Sequence, residues 1–193
     1  MRKNRRKRGV IMLVIGILLL AVAGGWFVVN ILEDRAAGAY TDQILEKMNI
    51  PDEQDVILED GGNSVSMVGD EAFCGRIKIE KLGVELPVYQ DWNYKKLKKA
   101  PCRYSGSVDT NDMIVAAHNY NSHFGKLHAL EADDVIIFVD AVGQSYRYEV
   151  KELVLLDGSA VEDMHSGEWD FTLFTCTKGG KQRVTVRCER VMD

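Results

Sequence analysis

The chain has 193 residues, a formal net charge of -5, 8% aromatic residues, and 17 glycines against 3 prolines. That is room for one domain with a real hydrophobic core and too little for two comfortable ones. The charge is uneven. Residues 1–35 hold seven Lys/Arg and two acids, net +5, so the other 158 carry 17 basic and 27 acidic side chains, net -10. A domain that acidic argues against nucleic-acid binding, which rests on clusters of Lys and Arg neutralising phosphates.

Residues 1–8 form a basic tail, and Gly9 to Val29 then runs 21 residues without a charge. About 20 apolar residues at 1.5 Å rise each match a hydrocarbon core of about 30 Å. The sequence therefore predicts a single-pass signal-anchor over 9–32, with the basic end cytoplasmic and the remainder extracellular. Ala21-Val22-Ala23 resembles a signal-peptide cleavage site, but the apolar stretch continues through Leu32, which would bury that site. Residues 33–72 read as a stalk or linker. A weak helical pattern runs over Tyr40 to Met48, and an acidic, Gly-containing stretch follows from Pro51 to Asp70.

From residue 73 the pattern turns to short strands. Arg76 to Ile79 and Val84 to Tyr89 alternate polar and apolar, and Met113 to Ala117 is a continuous apolar run suited to a buried strand. Phe124 to Leu130 predicts a short helix with Leu127 and Leu130 inward. Val135–Val139 and Tyr146–Leu155 predict one hairpin around Asp140 to Gly143. Leu173–Thr177 and Arg183–Arg190 predict another, closed by Lys178-Gly179-Gly180-Lys181. About eight strands with only short helices predict a closed or nearly closed β-barrel over 73–193.

The four cysteines, Cys74, Cys102, Cys176 and Cys188, show neither C-x-x-C spacing nor a metal signature. Cys176 differs in its setting, since it ends an apolar strand just before a polar Gly-containing turn. A strand end at a barrel rim holds a side chain rigidly while leaving it within reach of solvent. An ordinary thiol has a pKa near 8.5 and needs a partner to ionise at neutral pH. His118, at the end of the buried Met113–Ala117 strand, is one candidate. Arg183, opening the final strand across the turn, could stabilise a thiolate and donate to a developing oxyanion. Arg187 shares its strand face, while His123, His128 and His165 are rival histidines. On spacing alone the pairing of Cys176 with His118 is weak evidence.

Thr172-Leu173-Phe174-Thr175-Cys176 resembles the TLxTC signature of sortases, and Arg183-Val184-Thr185-Val186 is similar to the arginine-led strand that follows it there. Ala116-Ala117-His118-Asn119 resembles the family's histidine segment, and Leu86-Pro87-Val88-Tyr89 its early strand. The likeness spans about residues 74–191.

It implies an all-β fold, the eight-stranded sortase barrel behind an N-terminal transmembrane helix, and a cysteine transpeptidase. The substrate would be a surface protein bearing an LPxTG-like sorting signal, and the acceptor an amine of a peptidoglycan precursor or a pilin. Cys176 would be the nucleophile, His118 the general acid and base, and Arg183 the oxyanion donor. Thr175 and Asn119 would contact substrate.

The subclass stays open between class B-like and class D-like. The connection from about Leu156 to Phe171 is too short for the long class B helical insertion, and no DPW/DPF-type lid motif marks the stalk. No cofactor is expected. Asp157, Glu162, Asp163, Glu168, Asp133 and Asp134 could bind Ca²⁺ through carboxylate oxygens, but their spacing is unspecific and a solvated acidic loop is the plainer reading. Two other readings of the same residues are a membrane-anchored cysteine hydrolase using water as acceptor, and a non-enzymatic β-barrel binding module.

Overall fold

The structure, a computed structural model, describes residues 2–48, 65–165 and 167–191. The chain divides into two compact units, Met1–Ala36 and Ala37–Asp193, and the boundary falls within helix α1 (Arg2–Lys47). In the first unit the apolar side chains from Val10 to Val29 are solvent-exposed. From Gly9 onward α1 is long and apolar enough to cross a membrane. A helix apolar on every side fits a membrane anchor.

Among the described residues of the second unit, nine strands follow in chain order. They are β1 (Ser66–Val68), β2 (Glu71–Ile79), β3 (Val84–Tyr89), β4 (Cys102–Ser105), β5 (Met113–Ala116), β6 (Val135–Asp140), β7 (Ser145–Asp157), β8 (Phe171–Cys176) and β9 (Gln182–Arg190). Two short helices accompany them, α2 (Tyr94–Leu97) and α3 (Val161–His165). The order across the sheet is β1-β2-β3-β4-β5-β8-β9-β7-β6, and a further β2–β6 pairing joins its ends. Eight strands, β2 to β9, thus close into a barrel, with β1 folded back on β2 as an added ribbon. Closure leaves no exposed edge among the eight.

Gly75 sits where β2 serves both neighbours. It pairs with Val88 of β3 on one side and Asp140 of β6 on the other, beside a bulge between Phe73 and Gly75. A Cβ there would lie 2.3 Å from the Val139 carbonyl oxygen, so the backbones approach too closely for any side chain.

Alternation fills the interior. Ile77, Ile79, Leu86, Val88, Val115, Phe138, Tyr148, Leu173 and Val186 all point into one buried cluster. Both expected hairpins form, β6 with β7 and β8 with β9. The expected helix at 124–130 contracts to a single 3₁₀ turn, Leu127–Ala129, with Leu127 and Leu130 buried as anticipated.

The stretch expected as a spacer is structured at both ends. Residues 51–64 lie outside the described residues, but β1 and β2 begin within the expected linker. Before it, the last turns of α1 pack on the barrel. Ile44 and Met48 join Phe73, Tyr89, Ala100 and Cys102 in a second buried cluster flanked by Tyr40. Tyr40 hydrogen-bonds Tyr89 through their hydroxyls, and Phe73 stacks on Tyr89 at 4.4 Å. The weak helical period at Tyr40–Met48 thus marks a core face. Ile44→Ala is expected to destabilise the domain by about 2–4 kcal/mol, the usual cost of truncating a buried isoleucine. A spacer side chain would change stability by no more than about 0.5 kcal/mol. Urea unfolding of the full chain in detergent micelles separates the two.

Candidate active site

The pairing of β5 with β8 is parallel, in register from Met113↔Phe171 to Ala116↔Phe174. Parallel neighbours finish at the same end, so the C-terminal ends of both strands reach one rim of the barrel. The ladder continues past the last paired residues. The Ala117 amide donates to the Phe174 carbonyl at 3.1 Å, and the Thr175 hydroxyl donates to the Ala117 carbonyl at 2.9 Å. His118 and Cys176 follow directly on these two linked strand ends, both half-buried.

On the other side of Cys176, the β8–β9 hairpin pairs Cys176 directly with Arg183. Its turn is held by the Thr177 amide on the Gln182 carbonyl at 2.9 Å and the Gly180 amide on the Thr177 carbonyl at 2.8 Å. Gly179 and Gly180 take φ of 95° and 74°, values that favour residues without a Cβ. Cross-strand partners stand about 4.5–5.5 Å apart. The fold therefore gathers the cysteine, histidine and arginine singled out in the sequence at a single rim.

Each member has a defined setting. The His118 ring stacks on Tyr120 at 3.9 Å and 21°. The loop beyond it is tightened by the Phe124 amide on the His118 carbonyl at 3.3 Å and the Gly125 amide on the Tyr120 carbonyl at 2.8 Å. Gly38 of α1 closes on this loop, since a Cβ there would lie 3.2 Å from Ser122 Cβ. Arg183 donates through Nη1 to the carbonyls of Gly180 at 2.9 Å and Gln182 at 3.2 Å. Asp157 carboxyl lies below its ordinary range, held first by the Ser159 hydroxyl, then by the Ser159 amide, with Arg183 adding to the effect.

Thr175, expected to contact substrate, lies inside the rim. It is buried, and its hydroxyl is committed to Ala117, so it positions the strand end that carries Cys176. Asn119 is half-buried beside His118.

The rival residues separate. Arg187 is bound up in structure: Nη1 meets Glu152 at 3.0 Å, Nη2 donates to the Asp163 carbonyl at 2.7 Å, and the guanidinium lies over Trp169. It ties α3 to the barrel. His123, which reads from sequence as a surface loop residue, is fully buried near Tyr120. His128 is exposed with Nδ1 on the Gly125 carbonyl, and His165 stands on α3 with its ring 5.9 Å from Tyr104. Asp112 accepts from the Ser107 amide in the loop before β5, so it serves that loop.

A cleft of about 220 Å³ opens at the rim, with Cys176 and Arg183 in its lining. Trp92, Tyr104, Phe174, Val161 and Met164 supply much of its wall, and Tyr104 meets Phe174 edge-on at 5.4 Å. An apolar cleft with a few polar groups at one end is the ordinary form of a peptide or small-molecule site. These wall residues carried no signal in the sequence. They come from the connection after β3, from β4 and β8, and from α3, segments far apart along the chain.

Among the described residues, no group of three or more His, Cys, Asp or Glu side chains is arranged to hold a metal ion. Of the acidic residues considered for calcium, Asp134 is engaged by Lys81 at 2.8 Å, and Asp157 accepts from Ser159.

All four cysteines are free, and three are buried. Burial pushes the Cys74 and Cys102 thiols up to about 12 and that of Cys188 higher still. A rise of about three units cuts the thiolate fraction at neutral pH by roughly 10³. Iodoacetamide at pH 7.5 is therefore expected to label Cys176 alone, read by peptide-mapping mass spectrometry. Equal labelling of Cys74 or Cys102 in the folded chain would contradict this.

The sortase domain family matches residues 77–191, more than half of the chain. No curated protein sequence matches. Among solved structures, sortase C1 from Streptococcus suis is 25% identical with a TM-score of 0.54, over 63% of this chain and 74% of that one. Sortase A from Corynebacterium diphtheriae is 17% identical with a TM-score of 0.56, over 86% and 85%. Clostridium perfringens sortase C, solved with the C-terminal cell wall sorting motif, is 23% identical with a TM-score of 0.55, over 63% and 71%. With the signature cysteine on the rim of a closed eight-stranded barrel and the family match covering that barrel, this chain belongs to the sortase family.

Proposed function

We propose that the chain is a membrane-tethered cysteine transpeptidase that cleaves an LPxTG-like sorting signal and passes the acyl group to an amine of a peptidoglycan precursor or a pilin. In this reading residues 1–8 are cytoplasmic, 9–32 span the membrane, and the barrel stands outside the cell on a short stalk. The observation that carries it is the pairing of Cys176 with Arg183, with His118 on the parallel strand alongside, at the mouth of an apolar cleft. A hydrophobic peptide segment fits the walls made by Trp92, Val161 and Met164, which would bring its scissile carbonyl to the sulfur.

Cys176 thiolate attacks that carbonyl carbon and forms a C–S bond. The C–N bond breaks as His118 protonates the departing amine, leaving a thioester. An incoming amine gives its proton to His118 and attacks the thioester; the C–S bond breaks and the thiolate returns. Arg183 stabilises the oxyanion in both halves. Its Nε and Nη2 make no bond among the described residues, so they are the groups to turn toward substrate. Thiolate and imidazolium must coexist, which predicts a bell-shaped pH profile.

The test incubates the full chain with sorting peptides and candidate amines and reads products by mass. Expected are an acyl-enzyme on Cys176, amide products in the presence of amines, and a loss of about 10³-fold or more in Cys176→Ala. Hydrolysis unaffected by any amine would favour the water-using alternative, and no cleavage would favour the binding module. Arg183→Ala is expected to lower kcat, whereas Arg187→Ala, by freeing α3 and its cleft residues Val161 and Met164, is expected mainly to raise KM.

A further inference from the structure

A second hollow of about 470 Å³ adjoins the cleft and shares Trp92 and Tyr104 with it as a common wall. Its character is different, because Gln90, Asp91, Arg103, Ser105 and Ser107 line it. Arg103 is half-buried, and its Nε donates to the Gln90 carbonyl at 3.1 Å, which fixes the guanidinium in place. Among the described residues it has no carboxylate partner, although this domain carries ten more acids than bases. Gln90 Oε1 and Ser105 Oγ are buried there without a hydrogen-bond partner among the described residues. Buried polar atoms are nearly always paired, so two such atoms beside an unmatched arginine mark a place where a ligand supplies the missing groups.

We propose that this hollow holds the body of the acyl acceptor, a peptide amine bearing a carboxylate close to its nucleophilic nitrogen. Arg103 takes the carboxylate in a fork geometry. Gln90 Oε1 accepts from an amide N–H, and Ser105 donates to an amide carbonyl. Asp91, exposed on the same lining, disfavours a purely anionic ligand and favours one with positive or N–H donor groups as well. The shared Trp92–Tyr104 wall then separates acceptor from sorting signal, with the amine reaching past it to the thioester.

The proposal rests on the transpeptidase reading, and the test separates the two. The full chain in detergent micelles is given a sorting peptide and one of three acceptors: acetyl-Ala-Glu-Lys-Ala-amide, the same peptide with Gln for Glu, or hydroxylamine. Arg103→Gln is expected to raise KM for the Glu peptide about tenfold, the size of one charged hydrogen-bonded contact. It should change KM for the Gln peptide less than about twofold and leave hydroxylamine turnover and acylation of Cys176 unaltered. Ser105→Ala is expected to weaken both peptides alike. Equal effects of Arg103→Gln on the Glu and Gln peptides, or no effect on either, would overturn the proposal. If no acyl-enzyme forms, the transpeptidase reading fails instead. Calorimetric titration of both peptides into the resting chain and its Arg103→Gln variant then decides the binding half alone, where a wild-type preference for the Glu peptide supports it and equal affinities refute it.

Discussion

The site depends on one pairing, the parallel alignment of β5 with β8. An antiparallel neighbour would carry its C-terminal end to the opposite rim, and His118 would lie a barrel length from Cys176. The alignment is fixed by more than the regular ladder. Ala117 bonds to Phe174 and Thr175 bonds back to Ala117, so the strands stay tied right up to His118 and Cys176. Closure through β2 and β6 then makes the barrel a rigid frame, with Gly75 allowing the backbone approach that closure needs. Rigid strand ends with variable loops around them are a common way to hold reactive groups in place.

Around that frame the polar and apolar groups are sorted by distance from the rim. The interior takes three of the four cysteines, where loss of hydration keeps them as inert thiols. The fourth stands at the one place where an arginine is its cross-strand partner. Arg187 carries the same charge on the same strand, yet its contacts with Glu152, Asp163 and Trp169 make it a strut for α3. Two arginines four residues apart thus do different work because their neighbours differ.

Much of this was legible in the sequence, for physical reasons. Alternating strands, a charge-free run of membrane length and glycines in a hairpin turn are local patterns, and they located most strands, the apolar helix and the β8–β9 turn. The trio was legible through the signature around Cys176. The cleft wall was not, because Trp92, Tyr104, Val161 and Met164 are brought together only by the closed barrel. The bond from Thr175 to Ala117 was not legible either, since alternation alone leaves open which partner a hydroxyl finds. His123 looked like a surface residue for the same reason: a polar loop composition does not reveal that the loop folds inward against Tyr120. The packing at Tyr40–Met48 was not legible because the helical period there is weak, and its apolar residues gain meaning only from Phe73 and Tyr89.

The docking of Gly38 to Met48 on the barrel has a consequence for turnover of the protein. Here a cut between Gly38 and Met48 would detach part of the helix that fills the second cluster and rests against the loop after His118. Losing those contacts exposes apolar surface on the barrel and removes support from the histidine loop together. A cut in that stretch would therefore leave a barrel marked for further degradation by its own exposed core.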